Sequence, residues 1–263
     1  MSIIQNNATL MAYIPNVVTA VEGEKDLYTK IVPHLTVAEA WFFRNVASEG
    51  AVTTDAAMLF ARSIVACEAF KNAVPLLNVI LTQNGFGIVS NQTTAPASKE
   101  RTESLIEALT EQRDTAIEQL VFLLHGQHTR FFGTVFQVYE AQRMQGEIKH
   151  LFDKFIEQRS AIIRLQTALC KEVLSAEVLQ QMVNNTYTDE ASRSVAISYL
   201  FTLVPEIIVR QLKGEDCMDD IRRVVDYLRN NPTAFPNWAT SQAAKNWGDY
   251  TFKNDKNSGG YWL

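Results

Sequence analysis

The stretch TDAAMLFARSIVACEAFKNAVPLLNVILTQNG, residues 54–85, decides the fold class. Within it Phe60, Ile64, Cys67, Phe70, Val74, Leu77 and Leu81 recur at steps of three and four. That is the period of one helical face, so the stretch predicts a buried helix of roughly five turns or more. Thr54 and Asp55 suit its start, Pro75 should kink it, and Asn84 with Gly85 offers a left-handed stop.

The same period extends in both directions. Upstream, a helix is expected from Glu24, broken at Pro33 and restarted by a capping box of Thr36 and Glu39, with Trp41 and Phe42 facing the core. Residues before it, to Gly23, mix Ile3, Ile4, Leu10, Met11, Tyr13 and Ile14 with Asn and Thr around Pro15, and read as an arm with a short strand. Downstream, Phe86 to Val89 reads as a short strand, and a helix from Ala97 to about Leu124 carries Leu105, Ile106, Leu109, Ile117, Leu120 and Leu124. Its other side holds Lys99, Arg101 and Arg113 among Glu100, Glu103, Glu107 and Glu111, a mixed-charge surface. Thr129 to Tyr139 is short and β-prone, and is compatible with a strand or a helix start. Four further helices are expected: a long one from about Glu147 to a break near Ser175; a shorter one through Met182; one from Thr188 and Asp189 to Gly214; and one from Asp216 to just before Pro232.

The expected fold is therefore all-α, a multi-helix bundle with an extended N-terminal arm and an aromatic C-terminal tail. Arg62-Ser63-Ile64-Val65-Ala66 upstream of Pro75 echoes Arg193-Ser194-Val195-Ala196-Ile197 upstream of Pro205, and Leu27-Tyr28-Thr29-Lys30 echoes Leu151-Phe152-Asp153-Lys154. These pairs suggest two duplicated helical halves, against the alternative of chance similarity between amphipathic helices. The expected segments are an arm at 1–23, halves at 24–128 and 129–235, and a tail at 236–263.

Composition narrows the function classes. With 263 residues, 47% apolar and 20% charged, the chain can bury a core. A net charge of -5 gives no general footprint for wrapping phosphate backbones, although it leaves room for a local basic face. Cys67, Cys170 and Cys217 are unpaired in spacing, which suits free thiols in a reducing compartment. The first 22 residues lack Lys and Arg, and no uninterrupted apolar run approaches the length of a membrane span, so neither export nor membrane insertion is expected.

Motifs for chemistry are sparse. His125 and His128 form an H-x-x-H pair without a third ligand at a metal-site spacing, and read as polar helix-end residues; His34 and His150 have no better claim. Gly85-Phe86-Gly87 follows a helix and lacks the remaining features of a phosphate loop. Asp255-Lys256-Asn257-Ser258-Gly259-Gly260 has a glycine where a calcium loop needs its fifth-position ligand. No catalytic residue, cofactor or metal is expected. The tail is the notable surface feature, with Trp238, Trp247, Tyr250, Phe252, Tyr261 and Trp262 spaced without helical or strand period. Such aromatics either dock on the chain's own core or anchor in a neighbouring subunit. Together with Tyr13 of the arm they are the candidate interface residues.

Gly85-Phe86-Gly87-Ile88-Val89-Ser90-Asn91 followed by Ala95-Pro96-Ala97-Ser98-Lys99-Glu100-Arg101, the early Ala38-Glu39-Ala40-Trp41, and the ending Asn254-Asp255-Lys256-Asn257-Ser258-Gly259-Gly260-Tyr261-Trp262 resemble an uncharacterised family of Bacteroidetes phages and prophages. These anchors span nearly the whole chain and carry no known chemistry. The resemblance implies a virion structural protein, similar to the head-tail connectors that dock as a ring beneath the phage portal. On that reading the partners are further copies in a homo-oligomeric ring, portal and tail or neck proteins, and DNA passing through a lumen without sequence-specific contacts, with no membrane. Its place would be the virion neck, after synthesis in the bacterial cytoplasm. A helical enzyme or small-ligand binder around His125 and His128, and an assembly chaperone absent from finished particles, are the competing expectations.

Overall fold

A computed structural model describes residues 2–14, 25–77, 79–82, 85–88, 98–131, 133–136, 151–188 and 192–248. Among them are nine α-helices and one two-stranded hairpin, so the chain is mainly α-helical. It divides into two compact units: unit one holds residues 1–160 with 186–189, and unit two holds 161–185 with 190–263.

Unit one is built around α3 (Asp55–Leu77), packed along α2 (Leu27–Asn45) on one side and α4 (Lys99–Leu123) on the other. All residues from Ser63 to Ala69 are buried, as a helix flanked on two sides requires. Alanines 57, 61, 66, 69 and 73 bring the neighbouring helices close. The expected stripe is therefore only partly the buried surface. Ile64, Cys67 and Val74 are buried, but Leu77 is more than a third exposed. Leu81 is not helical: it lies in β1 (Val79–Thr82), paired antiparallel with β2 (Gly85–Ile88) so that Thr82 faces Gly85. Gly85, expected to stop the helix, instead opens β2.

Two further expectations for unit one are corrected. Pro33 lies inside α2, which runs unbroken from its Asp26 cap. Thr36 caps nothing; its hydroxyl donates back to Val32 O at 3.2 Å, and Glu39 accepts from Ser2 Oγ and Ile3 N. The arm's described part, 2–14, forms the short α1 (Asn7–Met11) and buries Ile3, Ile4, Leu10 and Ile14, so it is docked rather than extended. After α4 the chain takes a tight turn. His125 N–H donates to Phe122 O and Gly126 N–H to Val121 O, a Schellman closure with His125 itself left-handed at φ 48°. Thr129 makes a single bridge to Ala47, and Phe131, Val135 and Phe136 are buried in turns and bends; Phe132 and residues 137–139 lie outside the described residues.

The unit boundary falls within α5 (Leu151–Leu169). In unit two a π-helical turn, Cys170–Leu174, ends at Ser175 with φ 75°, and α6 (Ala176–Asn185) follows. Ser194 caps α7 (Val195–Leu212) by accepting from Ile197 N. Gly214, at φ 76°, closes α7 with Glu215 N–H on Arg210 O at 3.0 Å. By length and composition α7 could cross a membrane, and half of it is buried inside the protein. Next comes α8 (Met218–Asn230), packed on α7 with Asp219 and Asp220 in its first turn and Arg229 in its last, and then α9 (Gln242–Asn246). Arg62 to Ala66 lie inside α3, whereas Arg193 and Ser194 precede α7, so the two echoing stretches take different local structure.

Candidate functional site

The densest polar chemistry among the described residues is buried between the helices of unit one. Arg113 of α4 is 1% exposed. Its Nη1 donates to Glu68 Oε2 of α3 at 2.7 Å, its Nη2 to Asp153 Oδ2 of α5 at 2.8 Å, and its Nε to the adjacent Asp114 at 2.8 Å. The Trp41 ring of α2 covers the guanidinium, its centroid 5.2 Å from Cζ, and meets Phe152 edge-on. Glu68 also accepts from Lys71 at 2.7 Å and Asn72 at 3.0 Å. One side chain therefore ties four helices together.

The titration of these groups follows from their surroundings. Burial disfavours the Arg113 charge, but Asp114, Asp153 and Glu68 outweigh it and hold the guanidinium above its ordinary value. Burial also pushes Glu68 up, yet Arg113 and Lys71 together leave its carboxyl below the usual range. For Asp114 burial wins over Arg113, and its carboxyl sits above the usual range. Each described carboxylate around Arg113 already accepts from it, and the indole covers the fork. The arrangement is a strut that fixes helix positions, and its oxygens are committed to holding them.

Reading the sequence put Arg113 on a solvated face, and the structure overturns this. Leu109 lies four residues before it, Ala116 three after and Ile117 four after, all buried, so Arg113 occupies the apolar stripe itself. The same holds for Glu68, which follows the buried Ile64 and Val65 by four and three residues and sits between the buried Cys67 and Ala69. A charge on each of two stripes is the signal that could have revealed the pair.

The candidate interface residues divide. Trp238 is buried, and its Nε1 donates to Val173 O at 2.8 Å; Trp247 is half-buried, and its Nε1 donates to Glu172 O at 2.7 Å. These consecutive carbonyls belong to the π-helical turn, where the altered bonding leaves acceptors to be satisfied. Trp238 therefore serves the chain's own core and is unavailable to a neighbour. Tyr13 is half-buried, with its carbonyl accepting from Gln112 at 3.3 Å. Tyr250, Phe252, Tyr261 and Trp262 lie outside the described residues, as does the 255–260 loop.

His125 and His128 both have positive φ in the turn after α4, so they do not share a helical face as a two-ligand motif requires. Among the described residues no group of three His, Cys, Asp or Glu is arranged to hold a metal ion. Gly85 to Gly87 are in β2.

A family model described as a family of unknown function, DUF6712, matches residues 21–134 and 208–246, more than half of the chain. No curated protein and no solved structure matches.

Proposed function

We propose a structural role in assembly for this chain, which belongs to the DUF6712 family of unknown function. The chain is a subunit of a closed homo-oligomeric ring, a head-tail connector at the neck of a phage particle that passes DNA through its lumen. The observation that carries the assembly role is where apolar side chains remain exposed. Leu59 lies in the first turns of α3 and Leu76 and Leu77 in its last, while Leu105 lies towards the start of α4 and Phe122 and Leu123 at its end. Leu76 is 63% exposed, Leu59 52% and Val37 62%, and the other four also exceed a third. Large apolar groups left exposed towards the ends of α3 and α4 and on α2 suit side-by-side packing of copies. The phage placement draws on the resemblance in the sequence, and the acidic net charge of -5 suits a duct through which DNA slides.

Sedimentation velocity of the full chain tests this. A discrete oligomer is expected, dissociated by Leu59→Asp with Leu76→Asp while helix content stays unchanged; a monomer across micromolar concentrations contradicts the ring. Truncation after Gly248 tests the tail as an anchor in a neighbouring copy, since it removes Tyr250, Phe252, Tyr261 and Trp262 but leaves both indoles on the π-helical turn. An unchanged oligomer excludes that role.

A further inference from the structure

Three arginines of unit one are strung together through their own backbone. Arg130 Nε donates to Arg44 O at 2.6 Å, and Arg159 Nε donates to Arg130 O at 2.6 Å. Arg44 is in the last turn of α2, Arg130 follows the Ala47–Thr129 bridge, and Arg159 is on α5. Backbone also pins Arg130, whose N–H donates to Val46 O at 3.0 Å. With each Nε edge taken by a carbonyl, the Nη ends of Arg130 and Arg159 keep their four N–H groups in a fixed plane.

Among the described residues no carboxylate forms an ion pair with Arg44, Arg130 or Arg159, whereas Arg210, Arg222, Arg223 and Arg229 of unit two each have one. Arg159 feels the consequence: burial, and then the charge of Arg130, lower its pKa. Like charges held together in a chain of net charge -5 are a cost to folding that an anion would remove.

We propose that Arg130 and Arg159 form a binding site for a phosphate group. Two forks offer more donors than one carboxylate has oxygens to receive, while a phosphate has enough oxygens to receive both. The site stands independently of the assembly reading. Its phosphate belongs to a nucleic-acid backbone or to a small phosphorylated ligand.

The test compares thermal unfolding of the full chain in inorganic phosphate and in chloride at matched ionic strength. The wild type should gain stability in phosphate, and the Arg130→Gln, Arg159→Gln double variant should lose that gain. Arg130→Lys, which keeps the charge and loses the fork, should lose most of it and serves if the double variant does not fold. Arg222→Gln with Arg223→Gln should retain the full gain. No gain in the wild type, or an equal gain in the double variant, overturns the site. Anisotropy with a labelled duplex then assigns the source. Backbone binding should show a salt slope steeper by about 2 in the wild type than in the double variant; a phosphate gain without duplex binding assigns a small ligand.

Discussion

Replacing Arg113 by methionine keeps the stem and removes the fork, so its cost can be worked out partner by partner. Glu68 retains Lys71 at 2.7 Å and Asn72 at 3.0 Å. Asp153, with 41% of its side chain exposed, can turn to water. Asp114 is left buried with its main counter-charge gone. Removing one partner of a buried pair typically costs about 3–5 kcal/mol, and two rescued carboxylates out of three place this case near 3. In a chain of this size that is a fall of roughly 6–12 °C in Tm. Urea unfolding followed by far-UV circular dichroism measures it. Adding Glu68→Gln and Asp114→Asn should recover at least half of the loss, because the uncompensated charges go with the arginine. A loss below about 1 kcal/mol, or a triple variant less stable than Arg113→Met alone, would refute the strut.

Gly126→Ala should destabilise by about 2 kcal/mol or more, because φ 70° strains any other residue and its Cβ would lie 2.7 Å from Tyr187 Cδ2; urea midpoints check this. Trp238→Phe keeps the ring but leaves Val173 O without its indole donor, so a loss of about 1–2 kcal/mol is expected in the same assay. Cys67, pushed by burial up to about 12 from 9.0, is stabilising as a thiol below pH 9, and that contribution is lost as pH rises towards the folded value. Stability should fall on the alkaline side less steeply in Cys67→Ala, and a thiol reagent should reach Cys67 only after unfolding. Glu68 runs the other way: its lowered pKa gives stability above the ordinary carboxylate range that is lost as pH falls, so Glu68→Gln should flatten the acid limb of a pH series.

The helix ends that sequence made readable are those closed by local chemistry. Gly214 ends α7 through bonds within a few residues, and the acidic start and basic end of α8 depend on its own dipole, whereas the start of α7, expected after Thr188 and Asp189, falls at the Ser194 cap. What escaped was decided by distant partners. Pro33 looked like a break, yet α2 tolerates it because the helix is held on α3 and the arm. Leu81 continued a helical period and went into a hairpin, since period alone cannot weigh strand pairing with Phe86 against one more helical turn. Arg113 was assigned by its charge rather than by its phase, and only the approach of Glu68 and Asp153 from other helices makes its burial affordable. Trp238 and Trp247 were visible as aromatics in need of a place; the carbonyls they cap arise from a π-helical turn that has no sequence signature here.

Cryo-electron microscopy of the neck of a phage particle encoding this chain tests the proposed role most directly. A closed ring of copies is expected between portal and tail, with Leu59 or Leu76 buried against the adjoining subunit. Particles whose neck lacks the chain, while infected cells contain it in quantity, would contradict the connector role and point to an assembly factor.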